Sequence, residues 1–158
     1  MNGKFVKTIV VAAALAAGAG LVGAAAPEHN HGAAPAAMKL DHGRKWSTDA
    51  PLRQGMSEIR ARVEKNAEAI HRGKFGAGDY AALAGAVEAQ VAYIVDNCRL
   101  EPAADEVLHG VIAELAGGVE VLNGKRAGVA RDEGVSGVVT ALNRYGEYFD
   151  HPGWKPVH

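Results

Sequence analysis

Residues 102–124 read PAADEVLHGVIAELAGGVEVLNG, and this stretch decides the fold class. Proline is well tolerated in the first turn of a helix, and the helix dipole favours acidic side chains there, here Asp105 and Glu106. Asn123-Gly124 supplies the residue types that end helices. The spacing predicts one amphipathic helix with a single apolar face, because apolar residues recur every three or four positions. These residues are Val107, Leu108, Val111, Ile112, Leu115, Val119 and Leu122.

Three other segments have the same period, and each is predicted to be a helix. The first runs over residues 50–71 with Leu52, Met56, Ile59, Val63 and Ile70; the second runs over 79–98 with Tyr80, Leu83, Val87, Val91, Ile94 and Cys98. The last follows Asp132 and has Val135, Val138, Val139, Leu142, Tyr145 and Phe149. No useful length of strand-like alternation occurs. Four such helices with short connections predict an all-α, antiparallel up-down-up-down four-helix bundle.

The segment before the bundle divides into two parts. Residues 1–26 read as a cleavable signal peptide, because two lysines precede an apolar run and small residues follow it. The competing interpretation is an uncleaved membrane anchor over residues 8–26. Residues 27–47 are rich in Ala, Pro, His and Gly without an apolar period, which predicts a flexible leader. The bundle domain is then expected to span residues 48–158, and residues 152–156 are predicted to form a strap that folds back over the helices.

Charge and cysteine content narrow the class of protein. The chain has a formal net charge of −1, and loss of the signal's two lysines makes it −3. A mildly acidic protein is a poor binder of nucleic acid, so no nucleic-acid partner is expected. After cleavage we also expect no stable membrane insertion and a periplasmic location. A single cysteine in an exported chain has no partner of its own, which leaves packing, an intermolecular bridge or a soft metal ligand.

An antiparallel bundle brings the end of the second helix and the start of the third to one end. Cys98, His109 and Met56 therefore belong together, and thiolate, imidazole and thioether are the donors that copper prefers. Asp105, one turn before His109, is placed to orient its ring. In the alternative interpretation, Cys98 and Met56 are ordinary core residues, and Asp105 and His109 form a surface pair. The leader adds His29, His31 and His42 as a second candidate group of metal ligands.

Met56 lies early in the first helix, and His151 follows the last. In this outline the chain resembles the periplasmic cytochrome b562 and cytochrome c-prime type bundles. The resemblance implies haem b held between Met56 and His151. The resemblance does not imply haem that is covalently attached to cysteines, because the sequence has no Cys-x-x-Cys-His motif.

Three functional hypotheses follow. The first is an exported metal-binding bundle, with copper as the expected ion, for transport, storage or resistance. The second is a b-type haem electron carrier. The third is a non-catalytic structural or partner-binding bundle, dimeric through an exposed apolar face. An enzyme is not expected, since the sequence has no phosphate-binding glycine loop, HExxH, GxSxG or paired Glu-x-x-His motif.

Overall fold

The computed structural model describes residues 38–158 of the chain. These residues form an all-α fold of four helices: α1 (Ala50–His71), α2 (Ala77–Asn97), α3 (Pro102–Leu122) and α4 (Arg131–Tyr148). Two two-residue strands flank the helices, β1 (Trp46–Ser47) before α1 and β2 (Phe149–Asp150) after α4. Among the described residues, none of the helices has the length and apolarity that crossing a bilayer requires.

Local sequence explains where the helices begin and end. The Asp49 carboxylate accepts a hydrogen bond from the backbone nitrogen of Leu52 and caps α1, and Pro51 occupies its first turn. Asp79 caps α2 by accepting from the Gly76 nitrogen at 2.9 Å. Gly124 follows α3 with φ at +69°, a conformation that glycine adopts without strain. The predicted helix boundaries therefore hold to within about two residues.

The predicted apolar faces form one core. Its largest fully buried side chains are Tyr145, Phe149, Leu52, Met56, Ile59, Ile94, Leu115, Leu122 and Leu142. Each helix packs on the next in sequence, and α3 and α4 are the most closely joined. Glycines allow this approach, since a Cβ at Gly134 would lie 2.7 Å from the backbone nitrogen of Leu122. The contact between α1 and α4 is looser than those between consecutive helices.

The residues before α1 and after α4 cover one end of the helices. β1 and β2 pair in parallel, with Trp46 opposite Phe149. Lys45 Nζ donates to the carbonyl oxygen of Gly146 at 2.6 Å, and Met38 packs against the core. The prediction of a flexible leader through residue 47 is therefore wrong for residues 38–47. The apolar period does not reveal this segment, because Met38 and Trp46 are isolated in the sequence. They contact the core only once the chain has folded.

Residues 151–158, which we call the C-terminal strap, lie against α4. Trp154 packs edge-on to Tyr145, with ring centroids 4.8 Å apart. Its ring occupies the space beside Gly146, where a Cβ would lie 2.5 Å from the indole. Further along, the Asn143 side chain forms hydrogen bonds with both the nitrogen and the carbonyl oxygen of Val157. Trp154 and Val157 thus both hold the strap on α4.

Candidate functional site

Asp49 joins the start of α1 to the end of α2. Its carboxylate accepts hydrogen bonds from the backbone nitrogens of Leu52, at 2.9 Å, and Arg99, at 2.6 Å. The Cys98 thiol also donates to it, with Sγ 3.4 Å from Oδ1. Partial burial acts to raise the pKa of Asp49, but the hydrogen bonds from Arg99 and Leu52 outweigh it and the pKa is lowered. Asp49 therefore remains a carboxylate at neutral pH.

Cys98 is the residue that follows α2, and its side chain is partly buried. Burial, followed by the hydrogen bond to Asp49 and the negative charges of Asp49 and Asp105, raises the pKa of the thiol to about 12. The thiol is therefore protonated at neutral pH and a poor nucleophile. A cation bound at Cys98 would lower the pKa of the thiol, because it would favour the thiolate and offset the negative charges of Asp49 and Asp105.

His109 lies on the outer surface of α3. Its Nδ1 is 2.8 Å from the carbonyl oxygen of Asp105 and 3.5 Å from the Asp105 carboxylate. The predicted pairing of Asp105 with His109 is therefore present. The side chain is 72% exposed, however, so the ring does not face the core as a ligand shared with Met56 would. We call Asp49, Cys98 and Asp105 the Cys98 junction, and His109 lies one helical turn after Asp105 on the surface of α3.

Met56 and His151 are the positions that the cytochrome resemblance implies as haem ligands. Met56 is 0% exposed and belongs to the same packed core as the fully buried rings of Tyr145 and Phe149. Both ring nitrogens of His151 face protein groups, with Nδ1 2.9 Å from the Tyr145 hydroxyl and Nε2 3.5 Å from Ser57 Oγ. The residues present do not fit haem in this arrangement, because neither ligand atom is free to meet it.

His151 also lies among cations and aromatic rings. Its ring centroid is 4.9 Å from that of Trp154, and the Arg60 guanidinium lies over the Trp154 ring at 5.4 Å. Burial, with smaller contributions from the charges of Arg53 and Arg60, lowers the pKa of His151. Burial also raises the pKa of Tyr145. Both partners of the Tyr145–His151 contact are therefore neutral at pH 7.

The structure describes one of the three leader histidines, His42. His29 and His31 lie outside the described residues. His42 is at the tip of a tight turn closed by Asp41 and Arg44, and its side chain is 94% exposed. Across residues 38–158, no three His, Cys, Asp or Glu side chains are already gathered as metal ligands. A metal ion would therefore have to draw its ligands together there.

The sequence did not predict two contacts that the structure shows, Asp49 with Cys98 and Ser57 with His151. Asp49 was recognised as a candidate cap of α1, but its bond to Cys98 joins residues 49 positions apart. Likewise, nothing in the local pattern pairs Ser57 with His151, which are 94 positions apart. The first contact could have been anticipated, because the start of the first helix and the end of the second were expected to lie together. No local sequence pattern indicates the second contact.

Comparison of the chain with protein-family models, with curated proteins and with solved structures finds no match.

Proposed function

We propose that this protein is an exported four-helix bundle that binds a soft metal ion, with copper the first candidate, for transport, storage or resistance. The observation that carries the proposal is the hydrogen bond from the Cys98 thiol to the Asp49 carboxylate, beside the charge of Asp105. A thiol held among anions, and partly accessible, favours a cation over an anionic or electrophilic ligand. Cys98 is the anchoring ligand in this proposal.

His109 supplies the imidazole in the proposed site. Its ring is largely exposed, so a change of side-chain rotamer costs little packing and can turn Nε2 towards a bound ion. The turn breaks the contact of Nδ1 with the Asp105 carbonyl oxygen, and we assign the Asp105 carboxylate, 3.5 Å from Nδ1 in the structure, to orient the ring on the ion. Met56 is fully buried, so its first role is packing in the core. It would coordinate the ion only if the core opened between Met56 and Cys98. His29, His31 and His42 remain proposed recruiters of the ion.

We also infer that the helices run alternately up and down, as the proposed site requires. Two contacts support opposite directions for consecutive helices. The Tyr93 hydroxyl, near the end of α2, donates to Gln54 near the start of α1 at 3.0 Å. Gly134, near the start of α4, approaches Leu122 at the end of α3. The parallel pairing of β1 with β2 is also consistent with α1 starting where α4 ends.

Export, a periplasmic location and signal cleavage are part of the proposal, and they rest on the charge and apolarity pattern of residues 1–26.

The hypothesis of a dimeric or partner-binding protein has less support than the metal-binding proposal. Leu40 and Val95 are the large apolar side chains that are exposed within residues 38–158, at 41% and 61%, so the apolar surface offered to a second copy there is small.

The test is a titration of the untagged protein with copper(I) against a chromogenic chelator, under reducing, oxygen-free conditions, with zinc(II) in parallel. We expect one ion per chain, loss of binding in Cys98→Ser and at least about tenfold weaker binding in His109→Ala. His71→Ala is the matched control, because His71 is also an exposed histidine on a helix but lies at the end of α1. Equal copper and zinc binding by the wild type and Cys98→Ser would overturn the proposal.

A further inference from the structure

Two adjoining cavities lie along the loose contact between α1 and α4. One is about 470 Å³ and the other about 540 Å³, and Ala67 and His158 line both. Each falls in the range of roughly 300–1,000 Å³ typical of small-molecule sites. Because Ala67 and His158 line both cavities, the two adjoin and together follow the surface between α1, α4 and the end of the C-terminal strap. We call this the α1–α4 groove.

The floor of the first cavity is apolar. Val63 and Val135 are buried core residues, and Ile70 and Val139 pack against the core while lining the cavity. An apolar chain lying on these side chains would remove hydrocarbon surface from water on both partners.

The charges differ at the two ends of the groove. Lys155 lines the second cavity and forms no ion pair with any residue in 38–158. Arg60 is also there, but it is paired with Glu64 at 2.7 Å. Asp132 lines the first cavity instead, and its negative charge would repel an anion there. The complementary ligand therefore has an apolar body and a negative head directed towards Lys155.

We propose that the α1–α4 groove binds a medium-chain carboxylic acid, with its hydrocarbon tail along Val63 and Val139 and its carboxylate at Lys155. The wall that carries Lys155 is held in place, because Trp154 is packed against α4 and Asn143 fixes Val157 by two hydrogen bonds. The site is separate from the Cys98 junction, so this inference does not depend on metal binding.

The test is isothermal titration of the full, untagged protein with decanoate below its micellar concentration. We expect saturable binding of one molecule per chain. Val139→Trp should abolish binding by filling the floor, and Ser136→Trp, at an exposed position lining the same cavity, provides a second blocking variant that does not alter the core. Thermal unfolding of each variant distinguishes a filled groove from a misfolded protein.

The head-group assignment has its own control. Lys155→Glu should weaken decanoate binding at least about tenfold and favour decylammonium, because the charge at the head position is reversed. Lys74→Glu, at an exposed lysine between α1 and α2, should leave the affinity unchanged. Decanoate uptake that does not saturate, or that is the same in the wild type, Ser136→Trp and Lys155→Glu, would overturn the proposal.

Discussion

The Tyr145 hydroxyl lies 2.9 Å from Nδ1 of His151, and this contact ties the last turn of α4 to the first residue of the C-terminal strap. The two rings also meet edge-on, with centroids 5.8 Å apart. Ser57 approaches the other ring nitrogen from α1. His151 therefore links both terminal helices, so changes at this contact report on whether the strap is in place.

Tyr145→Phe removes the hydroxyl and keeps the buried ring. We expect a loss of about 1 kcal/mol in the free energy of unfolding, the typical net value of one hydrogen bond. Urea denaturation followed by circular dichroism measures it. Tyr148→Phe is the matched control, since Tyr148 is partly buried and no hydrogen bond of its hydroxyl occurs within residues 38–158. An equal effect of the two substitutions would contradict the assigned contact.

Stability should fall as the pH is lowered below about 6.5. Burial lowers the pKa of His151 in the folded protein, whereas the unfolded chain has the ordinary value of about 6.5. The unfolded state therefore takes up a proton first, and the free energy of unfolding decreases from pH 6.5 down to the folded pKa, by less than about 1.4 kcal/mol per pH unit. Above pH 6.5 the full stability is retained.

Urea denaturation between pH 7.5 and 5 measures this effect. His151→Gln should flatten the dependence, because the side chain no longer titrates. His71→Gln should keep the wild-type dependence, since His71 lies at the far end of α1. If His151→Gln loses stability with falling pH as steeply as the wild type, His151 is not its source.

The helices could be predicted from sequence because their information is local. Asp49 and Pro51 mark the start of α1, and the three-to-four residue period of α3 identifies its buried face without knowledge of any partner. The β1–β2 pairing carries no such signal. Each strand has two residues, too few for an alternating pattern, and the partners are about a hundred positions apart.

The candidate site was only partly predictable for the same reason. The convergence of Asp49 with Cys98 agrees with helix ends meeting, which follows from the order of the helices. The orientation of His109 does not follow from it, because the ring can bond to its own helix as well as turn inward. In the structure, Nδ1 of His109 lies within hydrogen-bonding distance of the carbonyl oxygen of Asp105, four residues earlier. Such local competition is not visible in a pattern of apolar residues.

The reactivity of Cys98 should respond to the charge of Asp49. Asp49→Asn keeps an oxygen that can cap α1 but removes the negative charge that helps to raise the pKa of the thiol. We expect alkylation by iodoacetamide at pH 8.5 to accelerate, on the order of tenfold for each unit by which the pKa falls. Asp132→Asn, at an exposed acid in the first turn of α4, is the control and should not alter the rate. Equal rates in all three proteins would mean that Asp49 does not control the thiol.

Glycine-to-alanine substitutions should have opposite signs at two helical positions. At Gly134 a Cβ would lie 2.7 Å from the Leu122 nitrogen and 2.8 Å from the Gly118 carbonyl oxygen, so α3 and α4 would have to separate. We expect Gly134→Ala to cost about 2 kcal/mol, because overpacking against backbone exceeds the gain in helix propensity. At Gly85 on α2 the added methyl meets nothing within 4 Å, so Gly85→Ala should stabilise by up to about 1 kcal/mol. Urea denaturation of both variants beside the wild type measures the difference, and stabilisation by Gly134→Ala would show that α3 and α4 are not in close contact there.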